Sequence, residues 1–491
     1  MYEFSLQNIS KRLNEMPMAA IVVSLAVGIL FSDAVALAVW VWVVVTLVAL
    51  AVAVASKAVR TAAVMVAVFG FGGGIYAAEV AAPPIYGKPC EVVMRIVEPS
   101  VVGERYAATS AEVLTGEGVA RGARLRLYSP PAVRFEEGDR VRAKIRLRAF
   151  DASRDGYGQT MFHRGFVGSG SLYPSQILDF EPCERHSLHT HAVERLRSMM
   201  EPSEARAVVL AMSTAHRAEI GAETYAAYSR TGASHLLAVS GLHVGILFLL
   251  INLVVWPLAL LPHGNLVGGI IATAVVWGYV ALCGFAPSAV RSAIMFTAMQ
   301  LCVSAVRGYA SGNVLCATAF VMLVVNPDLV FDLSFRMSFA AVAGIIFWGV
   351  PVMRAVRIPY RALRALFDSV VIGVVASLWV LPLVSQTFGV VSIVGILISP
   401  ALILVAYLLL GAALLALVLP APLASLAVCV AEWAAALQNI VVGRCAEWRC
   451  AYIEYACSEQ AVVGIYALFA AITLLRFGFR RRKESIFKDI S

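Results

Sequence analysis

Residues 231–248 read TGASHLLAVSGLHVGILF and place His235, Ser240, Gly241 and His243 at the head of a long apolar run. An ionisable side chain at membrane depth is costly, so such groups usually face the protein interior or a water-filled path. A glycine lets two backbones approach closely, or frees backbone groups that a cavity can satisfy. Each residue alone also fits the start of an ordinary helix with hydrogen-bonded histidines, but the group together favours a functional site.

The composition around this stretch indicates a membrane protein. Of the 491 residues, 60% are hydrophobic and only 14% are charged, and the mean hydropathy is +0.81. Soluble domains carry about one quarter charged residues. Successive apolar runs of about 18–25 residues predict a polytopic α-helical membrane protein. The nine cysteines contain no CxxC pair, so we expect no zinc ribbon, no metal and no cofactor.

Basic residues predict the orientation of the chain. Residues 1–83 contain three apolar runs, and Ser32 and Asp33 divide the first two as a tight helical hairpin. Lys57 and Arg60 follow the second run, and positive residues favour the cytoplasmic side. The amino terminus is then inside and residues 84–183 are outside. The first run lacks a convincing cleavage site, so we expect it to remain as a span.

The second half of the chain predicts further helices. Residues 184–232 are too polar to span and predict amphipathic, interfacial helices, whereas residues 233–478 predict a series of spans. Residues 479–491 form a basic tail, which falls in the cytoplasm when the spans are counted from the outside domain. Polar residues within these spans are few, and the notable ones are Ser288, Arg291, Asp332 and Arg336. Asp332 and Arg336 are four residues apart, so a helix would pair them on one face.

The outside domain has a different pattern. Segments 92–97, 107–113, 121–128 and 140–150 predict short strands separated by glycine, proline and acidic turns, and strands at this spacing predict a small β-barrel. Cys90 and Cys183 lie near the two ends of the domain. Oxidising surroundings would permit a disulfide between them, and two free thiols are the alternative.

One strand of this domain carries a ladder of cations, DRVRAKIRLRAF over residues 139–150. Side chains alternate across a strand, so its cations share one face at spacings of about 7 Å. Charge that protects an edge strand from aggregation is one explanation. The cations also repel one another, and a polyanion such as single-stranded nucleic acid would relieve that repulsion. With a shorter repeat at residues 124–126, the candidate contacts are Arg124, Arg126, Arg140, Arg142, Lys144, Arg146 and Arg148. The aromatic residues nearby are Tyr106, Tyr128 and Phe135.

Three segments in order resemble the ComEC family of bacterial DNA-uptake channels: HLLAVSGLHVG at 235–245, GFAPSAVRSAIM at 284–295 and NPDLVFDLSFRMSFAAVAGI at 326–345. The resemblance implies a competence channel of the bacterial cytoplasmic (inner) membrane, which translocates single-stranded DNA during natural transformation. It also implies an extracytoplasmic OB-like domain, a DNA receptor as partner, and a separate cytoplasmic motor or nuclease. The implied channel-lining residues are His235, Ser240, Gly241, His243, Ser288, Arg291, Asp332 and Arg336.

The sequence departs from the family pattern at several points. It has no HxHxDH-type motif of a metallo-β-lactamase domain, so we expect no metal-dependent nuclease and no enzyme. Gly395 stands where the family has asparagine, and Arg336 where glutamine is more usual. Two other functions remain open, a transporter of a small or lipid-linked solute and an intramembrane hydrolase. The hydrolase would use Ser240 with His243 or His235, because Ser240 and His243 are within reach of each other on a helix.

Overall fold

The computed structural model of the protein describes residues 2–4, 16–35, 37–57, 59–80, 87, 89–102, 105–116, 119–136, 138–150, 156–162, 165–182, 187–237, 239, 241–261, 264–305, 311–448 and 452–481. The chain forms two compact units. One unit contains residues 24–191 and 322–332, and the other contains residues 1–23, 192–321 and 333–491.

The three apolar runs at the amino terminus form helices α1 (Pro17–Val35), α2 (Val39–Ala55) and α3 (Arg60–Val80). Glycines bring α1 and α3 into backbone contact. A Cβ on Gly72 would lie 2.5 Å from the carbonyl oxygen of Leu25. Small residues allow such close crossings, which hold helices together where no hydrophobic effect operates between them.

The predicted hairpin turn at Ser32 and Asp33 is wrong. Helix α1 continues to Val35, and α2 begins at Val39. The hydroxyl of Tyr76 donates a 2.6 Å hydrogen bond to Asp33 Oδ1, so the acid has a partner within the bundle. From the sequence alone, a polar residue that is hydrogen-bonded within a membrane helix cannot be told apart from one that ends the helix.

Residues 89–182 form the predicted barrel. Its elements are β2 (Pro89–Val102), β3 (Ala107–Gly116), β4 (Arg124–Ser129), β5 (Arg140–Ala149), α4 (Gly156–Phe162), β6 (Phe166–Ser171) and β7 (Ile177–Glu181). The strand order is β2-β3-β4-β6-β5, and pairing of β5 with β2 closes the barrel. Strands β4 and β6 are parallel, and the other pairs are antiparallel. This is the five-stranded Greek-key barrel of the OB fold, with β7 added beside β5.

The barrel has its own apolar core, and strand alternation supplies it. The inward side chains include Val92, Met94, Ile96, Leu125, Leu127, Val141, Ile145 and Leu147. Strand β4 begins three residues later than predicted, because residues 121–122 form a turn in which Gly122 has φ +86°. Cys90 lies on β2, whereas Cys183 lies outside the described residues, so their disulfide stays a prediction.

The rest of the chain is helical. Its helices are α5 (Leu188–Met199), α6 (Glu204–Thr214), α7 (Ala222–Arg230), α8 (Gly241–Val255), α9 (Gly264–Leu282), α10 (Pro287–Ala305), α11 (Ser311–Val325), α12 (Leu333–Gly344), α13 (Val350–Ala355), α14 (Arg361–Phe388), α15 (Ile393–Val418), α16 (Ala421–Ala446) and α17 (Glu459–Gly478). A π-helical segment, Ile345–Gly349, joins α12 to α13. Short strands β8 (Val390–Ser392) and β9 (Tyr452–Glu454) pair with each other.

Seven helices among the described residues are long and apolar enough to cross a membrane. They are Pro17–Val35, Arg60–Ala78, Leu333–Ala355, Leu363–Thr387, Ala401–Val418, Ala421–Ala446 and Glu459–Gly478. Shorter apolar helices lie at Val39–Ala55, His243–Leu258, Leu266–Leu282 and Ser311–Val325. The protein is therefore a multi-pass α-helical membrane protein with a small β-barrel domain.

Helix α6 is more buried within the protein than its polar sequence predicts. Residues 207–214 are all buried. Val208 and Leu210 belong to the same apolar cluster as Leu409 on α15 and Ala431 on α16. Helix α6 is thus part of the core of the helical unit.

The two ends of the described chain meet. Strand β1 (Tyr2–Phe4) pairs antiparallel with β10 (Phe479–Arg481), so the two ends of the described chain lie side by side. The cytoplasmic location of both ends stays a prediction.

The orientation can be tested with single cysteines in a cysteine-free background that still restores function. A Ser175→Cys variant, on the barrel, should react with a membrane-impermeant maleimide in spheroplasts. An Arg361→Cys variant, at the start of α14, should react only after permeabilisation, because its loop is basic. Labelling of Arg361→Cys from outside would reverse the assigned orientation.

Candidate functional site

The cation ladder on β5 folds as the alternation predicted. Each basic residue of the strand is exposed and each residue between them up to Leu147 is buried. The exposed set is Arg140, Arg142, Lys144, Arg146 and Arg148. The barrel therefore presents these cations on its outer surface.

Acidic residues neutralise one end of this ladder. Arg140 lies 3.8 Å from Glu181 on β7, and Arg142 forms an ion pair with Glu91 on β2. Among the described residues, Lys144, Arg146 and Arg148 form no ion pair, so the charge available to a ligand extends from the middle of β5 to the end that adjoins β6. The sequence could not show that one end of the ladder is neutralised, because Glu91 and Glu181 lie on other strands.

Strand β4 carries the second cationic pair, and its environment is different. Arg124 is exposed and Arg126 is half-buried. The guanidinium of Arg126 donates a 2.7 Å hydrogen bond to Ser110 and lies 5.9 Å from the centre of the Phe166 ring. These contacts hold Arg126 in one orientation on the barrel surface.

An aromatic cluster lies beside these arginines. The rings of Tyr106 and Tyr128 are 5.3 Å apart, the hydroxyls of Tyr128 and Tyr157 form a hydrogen bond, and Tyr157 and Phe150 are 6.2 Å apart. Burial, followed by the hydrogen bond with Tyr157, raises the pKa of Tyr128, so this phenol stays neutral and adds no negative charge. Phe135, by contrast, is buried in the barrel core and is not available to a ligand.

In the helical unit, the first two family-like segments pack against each other. The Ser288 hydroxyl on α10 donates a hydrogen bond to the carbonyl of Val239, just before α8. A Cβ on Gly241 would lie 3.2 Å from Ser292 Oγ, and one on Gly245 would lie 3.3 Å from the Phe296 ring. Gly241 and Gly245 therefore form a small-residue face of α8 that contacts α10. The sequence indicated a role for Gly241 but not the contact between α8 and α10.

The two histidines of the first segment are placed differently. His235 lies in the turn before α8, and its Nδ1 is 3.0 Å from the carbonyl oxygen of Gly232. A carbonyl only accepts, so Nδ1 carries the proton in this hydrogen bond. His243 is fully buried on α8, within electrostatic range of His235 and Arg217. Ser240 lies outside the described residues, so its predicted role stays a prediction.

The remaining candidates occupy the starts of two helices. Arg291 is buried near the start of α10, and the chain before α12 forms a 3-10 turn, Pro327–Val330. Helix α12 begins at Leu333, directly after Asp332, and Arg336 lies in its first turn, so the pairing of Asp332 with Arg336 stays a prediction. Arg336 lines a cavity of about 430 Å³ between α12, α14 and α17.

A backbone crossing supports the turn that carries His235. A Cβ on Gly395, near the start of α15, would lie 2.6 Å from the carbonyl oxygen of Thr231. One on Gly232, where φ is +69°, would lie 2.9 Å from Ser392 Cβ. Glycine is required at Gly395 because a backbone oxygen cannot move aside as a flexible side chain can, and at Gly232 because φ is positive and the Cβ of Ser392 is close. The close contact of Gly395 with Thr231 explains why glycine is found here, at a position where the family pattern has asparagine.

An ion cluster fixes the loop between α6 and α7. Arg197 and Arg206 lie 2.6 and 2.9 Å from the two carboxylate oxygens of Glu219. Burial acts to raise the pKa of Glu219, but hydrogen bonds and charge from Arg197 and Arg206 outweigh it and lower that pKa. The group stays ionised at neutral pH, and its stabilising contribution is lost only as pH falls through the lowered pKa.

Comparison with known proteins identifies the helical region. Residues 212–480, more than half of the chain, match the model of the competence protein family. The chain is 28% identical over 211 residues to ComE operon protein 3 of Bacillus subtilis, covering 43% of this chain and 26% of that protein. It is 26% identical over 220 residues to Recombination protein 2 of Haemophilus influenzae, covering 42% and 27%.

A third relative is an uncharacterized protein of Aquifex aeolicus, 29% identical over 166 residues, covering 33% of this chain and 38% of that protein. The chain thus aligns with between a quarter and two fifths of the length of each of these relatives. No solved structure matches the chain. The match over residues 212–480 contains all three motif segments, and the chain belongs to the competence protein family.

Proposed function

We propose that this protein is a channel of the bacterial cytoplasmic membrane that passes single-stranded DNA into the cytoplasm during natural transformation. Its family and the names of two relatives, ComE operon protein 3 and Recombination protein 2, connect it with competence and recombination. The observation that supports DNA as the substrate is the exposed cationic surface on a barrel of OB topology. OB folds combine a basic groove with aromatic rings when they bind single strands.

The helical unit supplies the proposed path. The small and polar residues of α8 and α10 meet at Gly241, Ser288 and Ser292, within a membrane domain that is otherwise strongly apolar. The proposed role is passage and needs no nucleophile or general base, so we propose a channel and not an enzyme. A DNA receptor would deliver the strand, and a separate cytoplasmic motor or nuclease would act with the channel.

Uptake of labelled DNA tests this function. Cells lacking the protein should bind labelled duplex DNA at the surface but should accumulate no DNase-resistant label in the cytoplasm. Complementation with the wild-type gene should restore both the cytoplasmic label and transformants. A transporter of small or lipid-linked solutes predicts unchanged transformation in the deletion strain, and that outcome would refute the proposal.

A further inference from the structure

Strand β6 joins the two cationic strands into one surface. In the barrel, Ser169 on β6 pairs with Arg126 on β4 on one side and with Arg148 on β5 on the other. Paired residues on neighbouring strands point to the same face of a sheet. Arg126 and Arg148 therefore flank Ser169 on the outside of the barrel. Strands are about 4.8 Å apart, which places the two arginine backbones roughly 10 Å from each other.

Strand β6, which lies between β4 and β5, carries mostly small residues. Gly168 and Gly170 pair with inward leucines of β4, and a Cβ on Gly170 would lie 3.1 Å from Leu147 in the core. Ser169 and Ser171 point outward between long side chains. We call this surface the trough: its floor is Ser169 and Ser171, and its walls are Arg126, Tyr128, Arg146 and Arg148.

The trough is positively charged, and its cations on β5 are not neutralised by acidic residues of the described chain. The acids that pair with the ladder, Glu91 and Glu181, contact Arg142 and Arg140, at the other end of β5. Among the described residues, neither Arg146 nor Arg148 forms an ion pair. Serine hydroxyls on the floor can donate hydrogen bonds to phosphate oxygens.

Tyr157 on α4 connects the two walls. Its hydroxyl contacts Tyr128, which belongs to β4, and its ring is near Phe150, which directly follows β5. Tyr106 and Tyr157 are each 52% exposed, so ring surface remains open to a ligand. Aromatic faces beside a cationic track are what a single strand requires for base stacking.

We propose that the trough holds the sugar-phosphate backbone of single-stranded DNA, with bases stacked on the cluster of Tyr106, Tyr128 and Tyr157. This inference rests on the proposed function and names the part of the barrel that does the binding. It distinguishes the two ends of the ladder, on either side of Lys144. Arg146 and Arg148 contact the strand, whereas Arg140 and Arg142 hold β7 and β2.

A pair of matched double variants of the full-length protein in detergent tests this division. Binding of fluorescent oligo-dT is followed by anisotropy across a salt series. Loss of two single-strand phosphate contacts should reduce the slope of log affinity against log salt by about 1.4, which corresponds to about 25-fold weaker binding at 0.1 M salt relative to a 1 M reference. We expect this result for Arg146→Gln/Arg148→Gln. The control, Arg140→Gln/Arg142→Gln, removes the same charge from the same strand and should stay within about twofold of wild type.

The aromatic cluster needs a second measurement. Tyr157→Ala should weaken oligo-dT binding roughly tenfold through lost stacking, with an unchanged salt slope. The same variant should bind an abasic oligonucleotide as the wild type does, because no base is present to stack. The wild type should bind duplex DNA more weakly than oligo-dT, because paired bases cannot stack on the tyrosines. This difference in affinity should be smaller in Tyr157→Ala.

Equal loss in the two double variants would mean that only overall charge attracts DNA, and the trough would be wrong. Tight binding of duplex DNA would equally overturn it. Neither result bears on transport, which is judged from uptake in the deletion strain. Conversely, normal transformation in that strain together with trough-dependent binding would reject the channel and keep the binding site.

Discussion

A Gly241→Leu variant should lose DNA uptake completely while its barrel still binds single-stranded DNA. A Cβ at this position already lies 3.2 Å from Ser292 Oγ on α10, and leucine adds three further carbons. Overpacking a tight contact costs about 1–3 kcal/mol and is relieved by moving the backbone. Movement of α8 away from α10 would disturb the contact of Ser288 with Val239 and the polar surface between the helices.

Gly278 offers a matched control for this substitution. It lies on the neighbouring helix α9, and a Cβ there would meet no atom within 4 Å. Gly278→Leu should therefore keep wild-type transformation frequency at equal membrane levels, as measured by immunoblot. Similar loss in both variants would show only that membrane helices of this protein tolerate no larger residue, and would remove the support for a special role of Gly241.

The histidine beside this glycine separates the channel from an intramembrane hydrolase. His243→Gln keeps a polar side chain of similar length in a buried site, so the channel should retain most of its uptake. A hydrolase that uses Ser240 and His243 would lose its base and would be inactive. If Ser240→Ala and His243→Gln abolish transformation while Gly241→Leu transforms normally, the channel assignment for this region is wrong.

Local patterns in the sequence predicted strands β2 to β5 of the barrel, but neither β6 and β7 nor the proposed binding surface. Alternation along residues 140–148 predicted the outward cations because side-chain direction depends only on position within a strand. The pairing of Ser169 with Arg126 and Arg148 depends on which strands meet, and the parallel β4–β6 pair joins segments about forty residues apart. The glycine-rich strand β6 has no strong local signal, since glycine is depleted in strands.

The helical unit shows the same limit. Hydropathy predicted a series of helices in this region, and the motif residues pointed to α8 and α10. The face that joins them consists of Gly241, Gly245, Ser292 and Phe296, which are small or apolar and do not stand out by charge. Residues 184–232 were expected at the surface because they are too polar to span a membrane, although everything from Ala207 to Thr214 on α6 is buried. Burial of this kind is decided by the neighbouring helices and not by the segment itself.

Gly395→Ala is the smallest change that we expect to stop transport. The new methyl group would lie 2.6 Å from the carbonyl oxygen of Thr231, well inside van der Waals contact, and a backbone atom must move to relieve the clash. The turn that moves includes Gly232, whose carbonyl oxygen accepts the hydrogen bond from His235 Nδ1. Displacing that turn should misplace His235 at the entrance to α8, and transformation frequency should fall to the level of the deletion strain.

The matched control is Gly464→Ala on α17, where a Cβ meets no atom within 4 Å. Alanine is the better helix former by roughly 0.5–1 kcal/mol, so this variant should transform normally and be at least as stable as the wild type. Comparing the same substitution at these two helical glycines thus distinguishes the effect of the clash at the backbone crossing from the general effect of adding a methyl group. The crossing would lose its assigned role if Gly395→Ala transformed normally at wild-type membrane levels. A Gly395→Ala protein that binds oligo-dT normally yet passes no DNA would place the defect in the membrane path, because the barrel is then intact and only the turn before α8 has moved.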